Sequence, residues 1–384
     1  MSLTLQRRGL VDEYNGYQFR RESMAQDSAG KLIYPHNARF EQGPFGSDKA
    51  ILVEEGTENL VNLRTWNPVG ETPQQIVSAT DKTFRGFPVY KAQKKTTGTP
   101  PISLGKFNIP AGETITASIW VNAMDSVDHY PRIFFYKEGV VGKDFRDVKV
   151  GEWGRLTTTY TNDTDEIIEG VFAYFYPSIP VDSITYFSSP QVEWGPYATT
   201  FTPSVRADEE IIIPTAGLLS PEQGTIEFDF KIPISPTETG MHCYLLRDFF
   251  IHSANEQFYF RTGGSPRFRV RPLINEWNRL ALVFENNDLN TVALFLNGSK
   301  YEISEVWPGY TSLPDWWTTL NIFARVSSSS ASTKYISNLR LSSIARTQEQ
   351  LAPIDAPPTV DEYTTLYLPF NGPDNVRAAK VVTL

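Results

Sequence analysis

The sequence predicts an all-β protein built from two antiparallel sandwiches in tandem. β-Branched and aromatic residues alternate with polar residues over short runs, Gly, Pro, Asn and Asp bound those runs, and helical periodicity is nearly absent. The chain of 384 residues is 40% hydrophobic, which suits roughly two or three domains with cores of ordinary size.

Three segments carry the strand pattern most clearly. In Thr114–Asn122 the aliphatic side chains fall on one face and mostly polar ones on the other, as a period of two requires. Thr225–Ile232 repeats the pattern, so we expect both segments to be half-buried strands. Within Thr291–Ile303, the dipeptide Asn297-Gly298 separates two alternating runs and predicts a tight hairpin turn, because both residues tolerate positive φ.

The domain organisation follows from the same patterns. Residues 1–56 have too little periodicity for an independent core, and we expect them to form an N-terminal docking segment. Residues 57–205 and 206–384 are predicted as the two sandwiches, and a shared Glu-Trp-x-Arg-Leu entry into one strand of each suggests that they are related. Thr365–Phe370 is expected to return a last strand to the second sandwich, with Ala352–Pro358 as its connecting loop.

Charge and cysteine content narrow the class of protein. Lys and Arg number 35 against 44 Asp and Glu, so the net charge is -9 and no global attraction to nucleic acid is expected. Without a long apolar stretch, we expect neither membrane insertion nor a classical secretion signal. A single cysteine, Cys243, excludes an intrachain disulfide framework and a cysteine-based zinc site, so folding in a reducing compartment is permitted.

Two segments of the first half carry a family resemblance. The first lies between Ser28 and Asn62, where the matching positions are Arg39, Phe40, Ile51–Glu55, Thr57, Asn59 and Leu60. It resembles a segment of tailed-bacteriophage minor structural and tail-fibre proteins. The second is Ser189–Ser204, where the matching positions are Gln191, Glu193, Gly195, Ala198, Thr199 and Pro203. It resembles the element that closes a jelly roll of the carbohydrate-binding-module type in those proteins.

The second half resembles a different domain type. The segments GTIEFDFKI, EWNRLALVF, VALFLNG and YISNLRLSSIARTQEQL, in that order, are similar to laminin-G or concanavalin A-like lectin domains. Such domains often have an Asp at the position of Asn338, where it can serve calcium, and this sequence departs from the pattern there. The resemblance implies a jelly roll followed by a lectin sandwich.

The main enzymatic candidate is a pair of carboxylates on one strand. Glu227 and Asp229 share a strand face, and paired carboxylates perform glycoside hydrolysis. Glucanases of the lectin-like fold resemble Glu-x-Asp-x-x-Glu, but the third position here is Ile232. We therefore expect solvent-facing carboxylates without a catalytic role.

Aromatic residues near the second hairpin form the main binding candidate. Aromatic faces stack on sugar rings, and a neighbouring carboxylate can orient hydroxyl groups. The candidate glycan site is Trp307, Tyr310, Asp315, Trp316 and Trp317. The alternative is that these rings cap the core or fill a subunit interface, where Trp and Tyr are also enriched. The run Phe134–Tyr136 is interpreted as an ordinary sandwich strand.

Arginines form a second candidate contact surface. Arg267, Arg269 and Arg271 are spaced by two, which would place them on one face of a strand. A solvated face is one interpretation. The other is contact with an anionic cell-wall polymer or a neighbouring subunit.

The expectation of a calcium ion rests on the resemblance alone. Jelly rolls of the carbohydrate-binding type often hold a structural calcium ion near their first and last strands. Glu55, Glu58 and Glu193 are the corresponding candidate ligands, with a plain surface role as the alternative. No cofactor is otherwise expected.

The tandem sandwiches and the missing third carboxylate predict a non-enzymatic protein, and the resemblance implies that it is a virion protein of a tailed bacteriophage. The resemblance implies a place on the tail, baseplate or head, contact with other virion proteins and a homo-oligomer. Lectin-like domains would then bind a host-surface glycan or cell-wall polymer. The alternatives are a purely structural virion component and, more remotely, a polysaccharide-cleaving enzyme.

Overall fold

The structure is a computed structural model that divides into two compact units. One, the jelly-roll unit, comprises Met24–Leu32 and Thr57–Arg206, and the other, the C-terminal unit, comprises Met1–Ser23, Ile33–Gly56 and Ala207–Leu384. The residues it describes are 12–14, 17–20, 25–26, 32–33, 39–45, 49–54, 56–98, 100–123, 131–137, 140–141, 151–177, 181–206, 208–260, 267–304, 312–323 and 333–370.

Nearly all regular structure in these residues is β. In chain order the strands are β1 (Asp12–Tyr14), β2 (Tyr17–Arg20), β3 (Ala25–Gln26), β4 (Leu32–Ile33), β5 (Arg39–Gln42), β6 (Lys49–Val53), β7 (Thr57–Glu58), β8 (Gly70–Glu71), β9 (Gln75–Phe84), β10 (Phe87–Lys94), β11 (Ile102–Ile109), β12 (Thr114–Ala123), β13 (Arg132–Lys137), β14 (Val140–Val141), β15 (Trp153–Thr161), β16 (Ile168–Tyr176), β17 (Ile184–Trp194), β18 (Val205–Arg206), β19 (Glu210–Pro214), β20 (Gln223–Lys231), β21 (Cys243–Leu246), β22 (Phe249–Ile251), β23 (Phe258–Phe260), β24 (Arg267–Phe268), β25 (Trp277–Glu285), β26 (Ala293–Leu296), β27 (Ser299–Glu302), β28 (Thr319–Phe323), β29 (Lys334–Ser342) and β30 (Thr364–Leu368).

Helical structure in the described residues is short. It comprises one α-helix, Pro236–Thr239, and the 3₁₀ turns Leu289–Thr291 and Gln348–Gln350. None of these helices has the length and apolar character to cross a membrane.

The jelly-roll unit consists of two main antiparallel sheets and one further strand pair. One sheet runs β15-β12-β17-β10-β9-β8 and the other runs β11-β16-β13-β14, while β7 pairs with β18. Counting from β10 as the first strand to β17 as the eighth, the sheets read 1-8-3-6 and 2-7-4-5, which is the double Greek-key order of a jelly roll. Every pairing in these two sheets is antiparallel, so the predicted jelly roll is confirmed.

The core of the jelly-roll unit lies between its two sheets. The predicted inward residues of β12, from Ile115 to Val121, are fully buried, and Phe175 of β16 packs on Phe187 of β17 with ring centroids 5.2 Å apart. Part of the opposite face of β12 is also covered: Thr116 and Ser118 are each 1% exposed, and the Thr116 hydroxyl donates to the Gly195 carbonyl, just after β17, at 2.7 Å. The polar face of this strand is therefore buried at Thr116 and Ser118, where alternation alone predicts exposure, while Trp120 stays partly exposed.

The C-terminal unit is also a sandwich. Its larger sheet runs β27-β26-β25-β20-β29-β6-β5, with β30 beside β29, and two smaller sheets run β1-β2-β19-β28 and β21-β22-β23-β24. Phe230 of β20 meets Phe258 of β23 edge-on, at 6.4 Å between centroids, within one hydrophobic core. The predicted last strand is confirmed as β30.

Part of the expected N-terminal docking segment belongs to this sandwich. β6 pairs with β29 through Ile51↔Ile336 and its neighbours, and β5 continues the sheet. Four of the five residues of β6 are buried. β1 and β2 likewise join the smaller sheet through the pairing of β2 with β19. The expectation of a separate segment over residues 1–56 is therefore wrong for β1, β2, β5 and β6, because short strands that cannot form a core alone complete the sheets of another segment.

The predicted hairpin is present between β26 and β27. Asn297 and Gly298 have φ values of 51° and 81°, and the register Leu296↔Ser299 closes a two-residue turn. Both residues lie in the left-handed region that this turn type requires.

Gly298→Ala tests this turn. We expect a loss of about 1–2 kcal/mol in the free energy of unfolding, because a Cβ disfavours positive φ. Gly298→Asn is the matched control, since Asn enters the left-handed region at lower cost. Urea denaturation of the two variants measures the difference, and equal stability of Ala and Asn at this position would contradict the assignment.

Candidate functional site

The outer face of the smaller jelly-roll sheet carries a cluster of aromatic side chains. In β13 and β16 one set of alternating residues enters the core, as Phe135 and Phe175 do, and the other set points away from it. The outward set comprises Phe134, Tyr136, Phe172, Tyr174 and Tyr176, which we call the aromatic face. Tyr136 is 48% exposed and the other four are partly exposed.

The rings of the aromatic face form a continuous surface. Strand register places Phe134 opposite Tyr174 and Tyr136 opposite Phe172. Phe172 and Tyr174 stack at 5.2 Å between centroids with an interplanar angle of 3°, and Phe134 stacks on Tyr176 at 4.9 Å. Because the rings lie on two paired strands of a sheet, their spacing is set by the backbone.

Basic side chains border the aromatic face on two sides. Lys106 of β11 places its Nζ 5.3 Å from the centroid of the Phe172 ring, a cation-π contact. Gly170 makes room for it, because a Cβ at that position would lie 2.9 Å from Cε of Lys106. On the other side, exposed Arg132 is the register partner of Tyr176.

The hydroxyl group of Tyr176 remains protonated at neutral pH. Partial burial raises the pKa of Tyr176, the nearby Tyr174 and Tyr136 raise it further, and Arg132 opposes them. The face therefore offers ring surfaces together with tyrosine hydroxyl groups and cations at its border. Such a surface suits a ligand with C–H groups on one side and hydroxyl groups at its edge, which is the chemistry of a sugar ring.

The structure does not support Trp316 as part of a glycan site. Its side chain is 3% exposed and packs on Phe260 and Phe284 at centroid distances of 5.7 and 6.2 Å. Trp317 is half-buried against the same core, while Asp315 is exposed. Trp307 and Tyr310 lie outside the described residues. Trp316 agrees with the alternative interpretation, in which these rings pack on the core.

The predicted arginine face is not formed as expected. β24 ends at Phe268, so only Arg267 of the three lies in a strand. Arg269 and Arg271 lie beyond it and are exposed. The alternation rule does not apply past the end of a strand, and the prediction of one shared strand face is wrong.

Glu227 and Asp229 are buried, contrary to the expected solvent-facing position. They are 0% and 2% exposed, and each is paired with an arginine. Nε of Arg340 donates to Oε2 of Glu227 at 2.8 Å. Nε and Nη2 of Arg279 donate to the two oxygens of Asp229 at 2.7 and 2.8 Å.

A C-terminal strap, residues 347–361, covers this layer of charges. Its carbonyl groups accept the remaining guanidinium hydrogens: Ala356 from Arg279 at 2.6 Å, and Thr359 from Arg340 at 3.0 Å. The Ala352 amide donates to Oε1 of Glu227 at 2.9 Å. The predicted connecting loop therefore has a structural role, and the carboxylates have no open access to a substrate.

Asn338 takes part in the same layer. Its Nδ2 donates to Oδ2 of Asp229 at 2.9 Å, and its Oδ1 accepts from the Tyr367 hydroxyl at 2.9 Å. Burial raises the pKa of Asp229, while Arg279 and Asn338 oppose that rise. The position that resembles a calcium-serving Asp thus supplies an amide to a buried carboxylate.

The candidate calcium ligands occupy different settings. Glu193 is fully buried and its oxygens accept four hydrogen bonds, from Thr57 Oγ1 at 2.7 Å, from Gln191 Nε2 at 2.5 Å, and from Thr199 Oγ1 and N at 2.6 and 2.9 Å. Glu58 is exposed, and Glu55 lies outside the described residues. Within the described part of the chain, three or more His, Cys, Asp or Glu side chains nowhere come together as a metal site.

The aromatic face was missed in the sequence because its strands are apolar on both faces. A continuous apolar run ordinarily indicates a strand buried on both sides. The available signal was the size of the residues: in Val171–Tyr176 one alternating set includes Ala173, while the other set is entirely aromatic.

Comparisons with known proteins give fold-level likenesses only. No protein-family model and no curated protein matches the chain. Among solved structures, it is similar to the N-terminal CBM22-1-CBM22-2 tandem domain of Xyn10C from Paenibacillus barcinonensis, at 9% identity and a TM-score of 0.25, covering 76% of this chain and 98% of that one. It is also similar to the binding domain of botulinum neurotoxin serotype G, at 9% identity and a TM-score of 0.24. That match covers 77% of this chain and 86% of the neurotoxin domain. At these scores neither likeness supports a functional argument.

Glu227→Gln tests the buried charge layer. We expect the C-terminal unit to lose about 3–5 kcal/mol of stability, because Arg340 would remain buried without a charged partner. Glu302→Gln is the matched control, since Glu302 pairs with Lys300 at the surface and its loss should cost less than about 1 kcal/mol. Replacing both Glu227 and Arg340 with apolar residues should recover part of the loss in urea denaturation, and an equal effect of the two single variants would contradict the burial.

The ion pair between Asp361 and Arg346 should make the strap sensitive to acid. Hydrogen bonds from Arg346 at 2.6 and 2.7 Å hold the pKa of the Asp361 carboxyl well below its usual range. The unfolded chain therefore binds the proton more tightly than the folded chain. The stabilisation of the folded state by ionised Asp361 is complete above about pH 4 and is lost as the pH falls further.

Asp361→Asn should lower stability at neutral pH and flatten the dependence below about pH 4. Asp355→Asn, at an exposed position of the same strap, is the control. Thermal unfolding of the three proteins between about pH 2 and 7 measures the effect. An unchanged acid slope in Asp361→Asn would contradict the assignment.

Proposed function

We propose that this protein is a non-enzymatic glycan-binding protein whose aromatic face contacts the sugar. The observation that carries the proposal is the row of stacked, partly exposed rings on the smaller sheet of the jelly-roll unit. Protein surfaces seldom leave such a continuous aromatic patch open without a binding role. Because the rings are held by two paired strands, little ordering entropy is lost when a ligand binds.

The ligand we propose is a cell-surface polysaccharide. A flat face on a sheet, as distinct from a closed pocket, suits several consecutive sugar rings of a chain. Stacking supplies most of the affinity, while hydroxyl groups of Tyr136, Tyr174 and Tyr176 orient the sugar. Lys106 and Arg132 add polar contacts at the border.

The setting we propose is the virion of a tailed bacteriophage. It is supported by the resemblance of the segments around Arg39-Phe40 and Gln191–Pro203 to phage minor structural and tail-fibre proteins. In that setting the protein contacts other virion proteins, forms a homo-oligomer and presents its glycan-binding face to the host. Residues before β1 are the proposed anchor, and a truncation that tests it should end before Asp12, because β1 and β2 join the sheet of β19 and β5 and β6 join the sheet of β29.

The absence of catalysis is part of the proposal. It is supported by the surroundings of the carboxylate pair that most resembles a glycosidase site. Glu227 and Asp229 are both buried and bound to arginines under the strap. A glycosidase needs one carboxylic acid that protonates the leaving group and a second carboxylate within reach of the sugar.

A structural role is the second candidate. Aromatic side chains are enriched in the centres of protein interfaces, so the aromatic face also suits a subunit contact. In that case the face would be inaccessible in the assembled particle. Binding of soluble glycan by the assembled protein distinguishes the two.

Tyr136→Ala/Tyr174→Ala tests the proposed site. We expect saturable binding of the wild-type protein to purified bacterial cell-wall polysaccharide, measured by co-sedimentation, and a loss of roughly tenfold or more in the double variant, because two stacking surfaces are removed. Trp194→Ala is the matched control: Trp194 is also an exposed aromatic of the jelly-roll unit, but it lies on the other sheet. Circular dichroism checks that all three proteins fold.

Three results would count against the proposal. Equal binding by the wild type and the double variant would place the glycan elsewhere. Loss of binding in Trp194→Ala would show a nonspecific effect of removing surface rings. No binding by the wild type across cell-wall polysaccharides of several bacteria would favour the structural role.

A further inference from the structure

A cavity of about 400 Å³ lies in the jelly-roll unit, apart from the residues of the aromatic face. It is lined by the segment before β8, by the start of β10, by Ser189 and Pro190 of β17, and by Pro203 and Ser204 after that strand. Its volume falls within the range of small-molecule sites, roughly 300–1,000 Å³.

Backbone irregularities in two neighbouring strands form the cavity. The β9–β10 register shifts between Pro88 and Tyr90, and the β12–β17 register shifts opposite Ser189, which has a φ of 53°. Such bulges bend strands and are common next to binding sites. A proline inside a strand, here Pro190, is the sequence signal for this irregularity.

Asn59 holds the walls of the cavity in place. Its Nδ2 donates to the carbonyl oxygens of Pro190 and Thr202 at 3.1 and 3.0 Å, and its backbone amide donates to Ser204 at 2.6 Å. Asn59 is itself buried. The cavity is therefore preformed, so binding would require little rearrangement.

The walls of the cavity are largely aromatic and apolar. Trp66 meets Tyr90 edge-on at 5.4 Å between centroids, and its Nε1 donates to the Ser103 carbonyl at 2.8 Å, which fixes the ring. Phe87 packs against Phe201 at 4.4 Å. These contacts leave ring surfaces towards the cavity.

Two polar groups of the lining have no partner among the described residues. The guanidinium of Arg64 is exposed and makes neither an ion pair nor a hydrogen bond there. The Tyr90 hydroxyl likewise makes no hydrogen bond there, and burial raises the pKa of Tyr90, which keeps it a donor at neutral pH. No acidic residue is among the described lining residues, so the charge of the site is positive.

We propose that this cavity binds a sugar residue that carries a carboxylate, such as a hexuronic acid. The sugar ring would lie against Trp66 and Phe87, and Arg64 would bind the carboxylate through paired N–H donors, the geometry that guanidinium and carboxylate share. Tyr90 would donate to a ring hydroxyl. This is a second site, independent of the aromatic face and of whether that face binds glycan.

Glucuronate and glucose are the probes. The indole N–H resonance of Trp66, assigned with Trp66→Phe, reports occupancy of the cavity in ¹H-¹⁵N NMR titrations of the full chain. We expect glucuronate to shift this resonance saturably, and glucose to bind about tenfold more weakly or worse, because it lacks the charge-assisted contact with Arg64.

The Arg64→Gln substitution should lower the affinity for glucuronate by about tenfold or more and leave the affinity for glucose unchanged. Arg271→Gln, an exposed arginine of the C-terminal unit, is the matched control and should have no effect. Tyr136→Ala/Tyr174→Ala should also retain glucuronate binding, which separates this site from the aromatic face.

Several results would overturn the proposal. One is equal affinity for glucose and glucuronate. Another is glucuronate binding that is unchanged in Arg64→Gln or lost in the aromatic-face variant. A Trp66 resonance that neither sugar shifts would also exclude this ligand class.

Discussion

The hydrogen bonds of Asn59, Gln191 and Glu193 are the constraint on which the jelly-roll unit depends. A fully buried carboxylate needs donors, and Glu193 takes them from Thr57, Gln191 and Thr199, so the start of the unit is joined to its closing strand. Asn59 extends the same network to the segments that form the cavity walls. The fold and the preformed cavity are therefore products of one set of contacts, and the residues that resemble the phage jelly-roll element are largely those that make it.

The outer faces of the sheets differ between the two units, and this difference guides where we propose ligand sites. In the C-terminal unit, the carboxylates of β20 are neutralised by Arg279 and Arg340 and then covered by the strap, so that face is closed. In the jelly-roll unit, the outer side of β13 and β16 carries rings instead of charges and stays partly open. The jelly-roll unit is consequently the one in which we place both proposed ligand sites.

Elements that depend on neighbouring residues in sequence were predictable. The alternation in β12 and β20 and the Asn297-Gly298 turn are local patterns, because backbone geometry dictates period two in a strand and positive φ in a tight hairpin. Which face is open was not predictable in the same way. Alternation separates two faces of a strand, but it does not say whether another segment covers the polar one, as the strap covers Glu227.

The sequence by itself thus determined the all-β class, the strands, the hairpin and the chemical types of residue available for binding. Tertiary structure alone decided which of those residues are accessible. Trp316 and Tyr136 are both aromatic residues in or near strands, yet one is 3% exposed in a core and the other is 48% exposed on a sheet. The physical reason is that burial depends on contacts between segments distant in the chain, and such contacts leave no local periodicity to detect.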